Sequence, residues 1–270
     1  MLTAMNHSEP AFDRRRALQL VGGAGVVAVG GRFALVGRTA AATTIPSDPG
    51  ASAHTTLVTG SCDVIPEETA GPFPGDGSNG VNVLTESGIV RRDITTSLDP
   101  STTVAEGVPL EIQLLVADAS GDCAPLVGAA VYIWHCDRQG RYSMYSNGVE
   151  DETYLRGVQE ADANGAVTFT SIFPGCYSGR WPHIHFDVYR SLADATDSTS
   201  VIATSQIALP EDICSTVYAE SGYEQSFANL ARVSLDRDNV FGDDGAAHQL
   251  GTVTGSIDNG DVSVALYVPV

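Results

Sequence analysis

The chain has 270 residues, 33 acidic and 14 basic side chains, a formal net charge of −19 and 43% hydrophobic residues. That is enough apolar material for an ordinary core, and the length suits one β-rich domain with extensions or two small domains. Every basic residue is an arginine, and the acidity excludes nucleic acid or an anionic membrane surface as a partner, because both would repel it.

The first element is an address. Residues 13–20 read DRRRALQL, followed by LVGGAGVVAVGG and small residues around Ala40–Ala42. A charged region, a mild apolar region and an A-x-A-like site in that order predict a signal peptide over 1–41, of the twin-arginine type, and hence export to the cell envelope or beyond. The apolar run is broken by five glycines and by Arg32, so no stable membrane span is expected. Its removal takes away five arginines and two acids, so the negative charge belongs to what remains. Residues 42–60 are small, polar and Pro/Gly-bearing, and read as a flexible linker. An exported domain can form disulfides. The five cysteines, at 62, 123, 136, 176 and 214, contain no CxxC pair, and their connectivity is open.

From residue 61 onward one domain is expected. Strands are predicted at 109–118, 129–137, 166–173, 183–190, 201–209, 248–257 and 261–268, separated by the turn signals SGD, RQG, DANG, PGCYSG and DNG. Helical periodicity is weak, with one short candidate at 210–221. Many short strands at this spacing predict an all-β fold, a β-sandwich or barrel.

The stretch GRWPHIHFDVY (179–189) places His183 and His185 two apart in a strand. Alternate residues share a face, so the two imidazoles stand about 6.5 Å apart at their Cα atoms and can hold one metal ion, while Ile184 and Phe186 face the core. Tyr177 lies just upstream in FPGCYSG and Tyr142 ends WHCDRQGRY. A phenol is a poor ligand at neutral pH unless a hard, highly charged cation takes it as the phenolate. Oxygen donors with imidazole suit ferric iron better than zinc or copper. Tyr145 is the rival donor in the same segment. Trp134 and Trp181 read as packing residues, His135 as a hydrogen-bonded structural histidine, and Cys176 as a disulfide partner or buried thiol.

Taken together, ETAGPFP (68–74), RRDI (91–94), VYIWHCDRQGRYS (131–143), LRGVQEADANGAVTFTSIFPGCY (155–177), GRWPHIHF (179–186) and TSQIALPED (204–212) resemble the intradiol ring-cleavage dioxygenases, in particular their exported single-domain branch. The resemblance implies a β-sandwich holding a non-haem Fe(III) with Tyr142, Tyr177, His183 and His185 as ligands. It implies cleavage of a catechol-type ring by O2 to a cis,cis-muconate-type diacid. Tyr177 would leave the metal and take a substrate proton, Arg180 would stabilise developing negative charge, and Gln206 would line the pocket. Two departures stand out. Only five residues separate Tyr177 from His183, which implies an open pocket, and Phe73 stands where a tyrosine is common in the family. The helical dimerisation segment of catechol dioxygenases has no counterpart, so dimerisation by that route is not expected. A non-catalytic sandwich binding module with a degenerate metal site is the alternative reading.

Overall fold

A computed structural model describes residues 61–270; the expected signal at 1–41 and linker at 42–60 lie outside the described residues. Strand β1 (Pro109–Asp118) alternates, with Leu110, Ile112, Leu114 and Val116 buried, the period-2 pattern of a strand with one face in the core. It pairs antiparallel with β5 (Ala166–Ile172) and with the short β2 (Ala124–Pro125), and in parallel with β9 (Ser263–Pro269), which carries β8 (Thr252–Thr254) on its far edge. The second sheet is antiparallel throughout, in the order β4 (Arg156–Glu160), β3 (Ala130–Trp134), β6 (His183–Tyr189), β7 (Val201–Ala208). The helices α1 (Glu211–Val217) and α2 (Glu224–Leu230) have seven residues each. The fold is an all-β sandwich. No helix among the described residues is long and apolar enough to cross a membrane.

The two central strands of the second sheet, β3 and β6, are buried on both faces. One face supplies Val131, Ile133, Ile184, Phe186 and Val188 to the core between the sheets, where they meet Ile112, Leu114 and Phe169. The other face carries His183, His185, Asp187 and Tyr189, and it is roofed by the long irregular segment before β1. There Val83, Leu84 and Ile89 pack with Tyr132, Trp134, Tyr142 and Tyr189. A polar strand face buried under loops, rather than facing water, is the setting in which a metal or substrate site can be built.

The structure departs from the predicted elements in several places, β2 and the shortened β3 among them. β4, RGVQE, has too few β-branched residues to read as a strand alone and exists because its backbone pairs with β3. The strand expected at 248–257 shrinks to Thr252–Thr254, since residues before it form a turn closed by Leu250 N–H to Ala246 O at 2.9 Å. The expected helix shortens to α1, and α2 lies beyond it. One disulfide, Cys62–Cys123, ties the start of the described chain to the β1–β2 turn; Cys136, Cys176 and Cys214 are free and buried.

Candidate metal centre

Strand register builds one side of the site. His185 on β6 is flanked by Gln206 on β7 and by Trp134 on β3, and Trp134 is flanked in turn by Arg156 on β4. These four side chains form a row across the sheet on its roofed face. The Trp134 indole stacks flat on the His185 ring, with centroids 4.8 Å apart and planes 6° from parallel. His183 lies one pair further along the same face.

Two turns supply the other side. In the first, Gly140 N–H donates to Asp137 O at 2.9 Å, and the Asp137 carboxylate accepts from the Gln139 and Arg141 amides at 2.9 and 3.0 Å. In the second, Gly175 N–H donates to that same Asp137 carbonyl at 3.0 Å. Glycine is required at both positions. Gly140 has φ +82, and a Cβ there would stand 2.8 Å from Tyr177 Cβ; a Cβ on Gly175 would stand 2.7 Å from Arg138 O. Docked this closely, the turns present Tyr142 and Tyr177 to the histidine face.

The four side chains converge on one point. Tyr142 Oη lies 3.3 Å, Tyr177 Oη 3.2 Å and His185 Nε2 3.1 Å from His183 Nε2. His183 Nδ1 donates to Trp181 O at 2.6 Å, so its Nε2 carries a lone pair. Three polar groups therefore aim at a nitrogen that can accept one proton. His185 Nδ1, also buried, has no partner. The arrangement suits a cation rather than a hydrogen-bond network: ligands bound at about 2.0–2.1 Å in tetrahedral geometry stand about 3.3 Å apart. Among the described residues no cluster of three or more His, Cys, Asp or Glu forms a metal site, so the set is completed only by phenols. Two phenols with two imidazoles fit a hard, highly charged ion. Tyr145 takes no part, since it donates to Asn79 Oδ1 and accepts from Gly75 N–H, both at 2.9 Å.

Burial sets the protonation of all four side chains. Burial, with Tyr177 beside it, pushes the Tyr142 phenol well above its usual value, and burial pushes Tyr177 up to about 12. Burial, reinforced by Arg180, holds His183 down to about 3; burial and the adjacent His183 hold His185 well below the usual range. The imidazoles are thus neutral lone-pair donors, and a cation would be needed to draw the phenols into the phenolate form.

Arg180 and Gln206 meet beside this cluster. Arg180 Nη2 donates to Gln206 Oε1 at 2.8 Å, and Gln206 Nε2 donates to Thr69 O at 2.9 Å in the roofing segment. Arg180 is also ion-paired, Nε to Asp238 Oδ2 at 2.9 Å, and stands over the Phe241 ring. Burial alone would raise the Asp238 carboxyl, but hydrogen bonds from Arg180, Trp181 and Val240 outweigh it and hold it below the ordinary carboxylate range.

Sequence reasoning missed Asp238, which sits 58 residues from Arg180, and whose only local signal is an Asx-type turn in DRDNVF. It also passed over Arg156. That guanidinium is fully buried and donates to Phe73 O, Pro74 O, Ser143 O, Ser143 Oγ and the Tyr132 hydroxyl. It joins the roof to the turn that follows Tyr142. Trp181 packs with Val240, Phe241 and Ala246 and donates to Leu209 O. His135 is bonded to Cys136 O and Ser171 Oγ.

Comparison with known proteins agrees with the sandwich. A family described as Dioxygenase matches residues 86–187, the span that holds both tyrosines, both histidines and Arg180. The chlorocatechol 1,2-dioxygenase of Rhodococcus opacus is 30% identical over 128 residues, 39% of this chain. The match spans about half of that relative, 47% of its length. The structure of an intradiol ring-cleavage dioxygenase from Tetranychus urticae superposes with a TM-score of 0.60 at 26% identity, over 77% of this chain and 94% of that one. A second dioxygenase structure superposes at 0.58 and 25% identity over the same shares. The fold and the family match define a dioxygenase-type sandwich. The matched family, the curated relative and the superposed structures all make this chain similar to the intradiol ring-cleavage dioxygenases.

Proposed function

We propose that the protein cleaves a catechol-type ring between its two hydroxyl-bearing carbons, inserting both atoms of O2 to yield a cis,cis-muconate-type diacid. Tyr142, Tyr177, His183 and His185 would hold a non-haem Fe(III). The observation that carries this reading is the convergence of two phenol oxygens and His185 Nε2 within 3.3 Å of His183 Nε2. Ferric iron, when bound, supplies a Lewis acid with electron-accepting character.

The chain's own residues supply the rest. Tyr177 is the half-buried member of the phenol pair, whereas Tyr142 is buried. Tyr177 is therefore the one that can swing toward solvent and accept a proton from an incoming catechol hydroxyl. Trp134, stacked on His185, keeps that ring from turning. Arg180 directs positive charge to the edge of the donor cluster, where negative charge develops on ring oxygens. Gln206 joins it to the roof. Because Arg180 is paired with Asp238 and Arg156 is enclosed by five acceptors, neither is free to bind a ring carboxylate. A catechol without a carboxylate suits the site better than protocatechuate.

Oxygen uptake by the iron-loaded protein tests the reading, with catechol, protocatechuate, hydroxyquinol, caffeic acid and a chlorocatechol as substrates. Uptake with at least one ring and a red-brown phenolate-to-iron colour are expected. A colourless protein that consumes oxygen with none of them would leave the non-catalytic binding module as the better reading. Tyr177→Phe should lose turnover; normal rates would remove Tyr177 from the role of base. We also propose that residues 1–41 direct export by the twin-arginine route, which a fractionation of cells expressing the full chain would check.

A further inference from the structure

We propose that Asp238 is a positioning residue for this site: it aims Arg180 at Gln206 and, through the Trp181 main chain, fixes the orientation of His183. The assignment rests on the ring-cleaving reading above for its kinetic consequence only.

The geometry is that of an acceptor serving five donors. Asp238 Oδ2 accepts from Arg180 Nε at 2.9 Å and from Trp181 N–H at 2.6 Å. Oδ1 accepts from Arg180 Nη2 at 3.2 Å, Val240 N–H at 2.9 Å and Phe241 N–H at 3.2 Å. The carboxylate is wholly buried, while the Arg180 side chain is 13% exposed. An ionised carboxylate is the one side-chain group that offers only acceptors at both ends. An amide of the same shape would turn its NH2 toward at least two donors, whichever way it faced.

Two lines lead from Asp238 into the donor cluster. The first is the guanidinium, which bridges Asp238 and Gln206 with its planar fork. The second is the Trp181 main chain, across the two peptide units that flank its Cα. Its N–H is held by Asp238, and its carbonyl accepts the Nδ1 proton of His183 at 2.6 Å. That bond selects the tautomer that leaves the His183 Nε2 lone pair facing the tyrosines. Phe241, whose amide Asp238 also holds, sets its ring against His183 at 6.5 Å between centroids. One carboxylate, carried by a segment on the far side of β7 in sequence, thus orients a donor and a cation that strand register cannot orient alone. Partners that act on a metal ligand in this way typically change activity or metal affinity 10–100-fold.

The test is Asp238→Asn in the full-length protein, read in two ways. In the metal-free protein, 15N NMR of labelled histidines should show His183 as a single Nδ1–H tautomer in the wild type and as a mixture in the variant. In the iron-loaded protein, kcat should fall about 10–100-fold with KM moved less than about threefold. Combining the variant with Arg180→Lys should cost less than the sum of the two single changes, because one of the two lines from Asp238 runs through that guanidinium. A wild-type His183 signal in D238N, or fully additive losses in the double variant, would overturn the assignment. If D238N does not fold, Asp238→Glu carries the test. Its longer carboxylate can keep Arg180 but not all three amides, so a mixed tautomer with lowered kcat supports the proposal, and a wild-type signal with wild-type kcat overturns it. Should the wild type itself turn over no catechol, the proposed activity falls, and the NMR comparison still decides the role of Asp238.

Discussion

Replacing Arg156 by methionine should damage the fold and the proposed metal centre together. The guanidinium is the shared donor for Phe73 O, Pro74 O, Ser143 O, Ser143 Oγ and the Tyr132 hydroxyl, all within 3.0 Å. Methionine fills similar volume but donates nothing. Pro74 O would keep its bond from the Tyr132 hydroxyl, at 2.7 Å. Phe73 O and Ser143 O would lose Arg156 as a donor. A stranded buried acceptor costs about 1–3 kcal/mol, so two give about 2–6 kcal/mol. Part of that is returned because no buried cation has to be desolvated. The net expectation is about 3 kcal/mol, which in a domain of this size lowers Tm by about 6–12 °C.

The local effect follows from the same contacts. Phe73 packs on the Tyr142 ring at 5.1 Å and Ser143 is its chain neighbour, so loosening both frees Tyr142. Thermal melts and urea titrations measure the first effect, and iron content after gel filtration the second. Arg156→Lys keeps the charge but loses the planar fork, and should fall between wild type and methionine. A methionine variant that melts within 2 °C of wild type (about half a kcal/mol) and retains full iron would refute the reasoning.

Three further outcomes are expected. Gly140→Ala forces a residue with a Cβ into a positive φ and sets that Cβ 2.8 Å from Tyr177 Cβ; the strain and overpacking should cost about 2–5 kcal/mol, with loss of iron colour before loss of the far-ultraviolet β signal. His135 is held down to about 4 by burial, so between its ordinary value and pH 4 the unfolded chain binds a proton that the folded one does not. Stability should therefore fall as pH drops through that window, by up to about 3 kcal/mol, and His135→Gln should flatten the slope of urea-derived stability against pH relative to wild type. Replacing Cys62 and Cys123 by serine opens a crosslink spanning 61 residues; the chain-entropy estimate for such a loop is about 4 kcal/mol, and calorimetry should find a loss up to that size.

Much of the sandwich was legible because its strands carry the period-2 pattern that a half-buried strand needs. PLEIQLLVAD at 109–118 matches β1 residue for residue, and HIHFDVY announces itself by alternating two histidines with Ile184 and Phe186. The elements that escaped, β4 and α2, are polar or short, and are held by tertiary partners rather than by their own composition. The pairing of Cys62 with Cys123 was likewise out of reach, since five cysteines permit several connectivities and only the path of the chain selects one.

The site divides along the same physical line. Local sequence by itself determined that His183 and His185 share a strand face, because a pleat repeats every two residues. It also marked the glycine-bearing turns that end in Tyr142 and Tyr177. It could not determine that these turns meet, that Trp134, His185 and Gln206 stand in one row, or that Asp238 reaches Arg180 across 58 residues. Those relations depend on strand register and loop docking. Both are decided by the burial of the whole roofed face and the pairing of its polar groups, a property of the assembled sheet and not of any one segment.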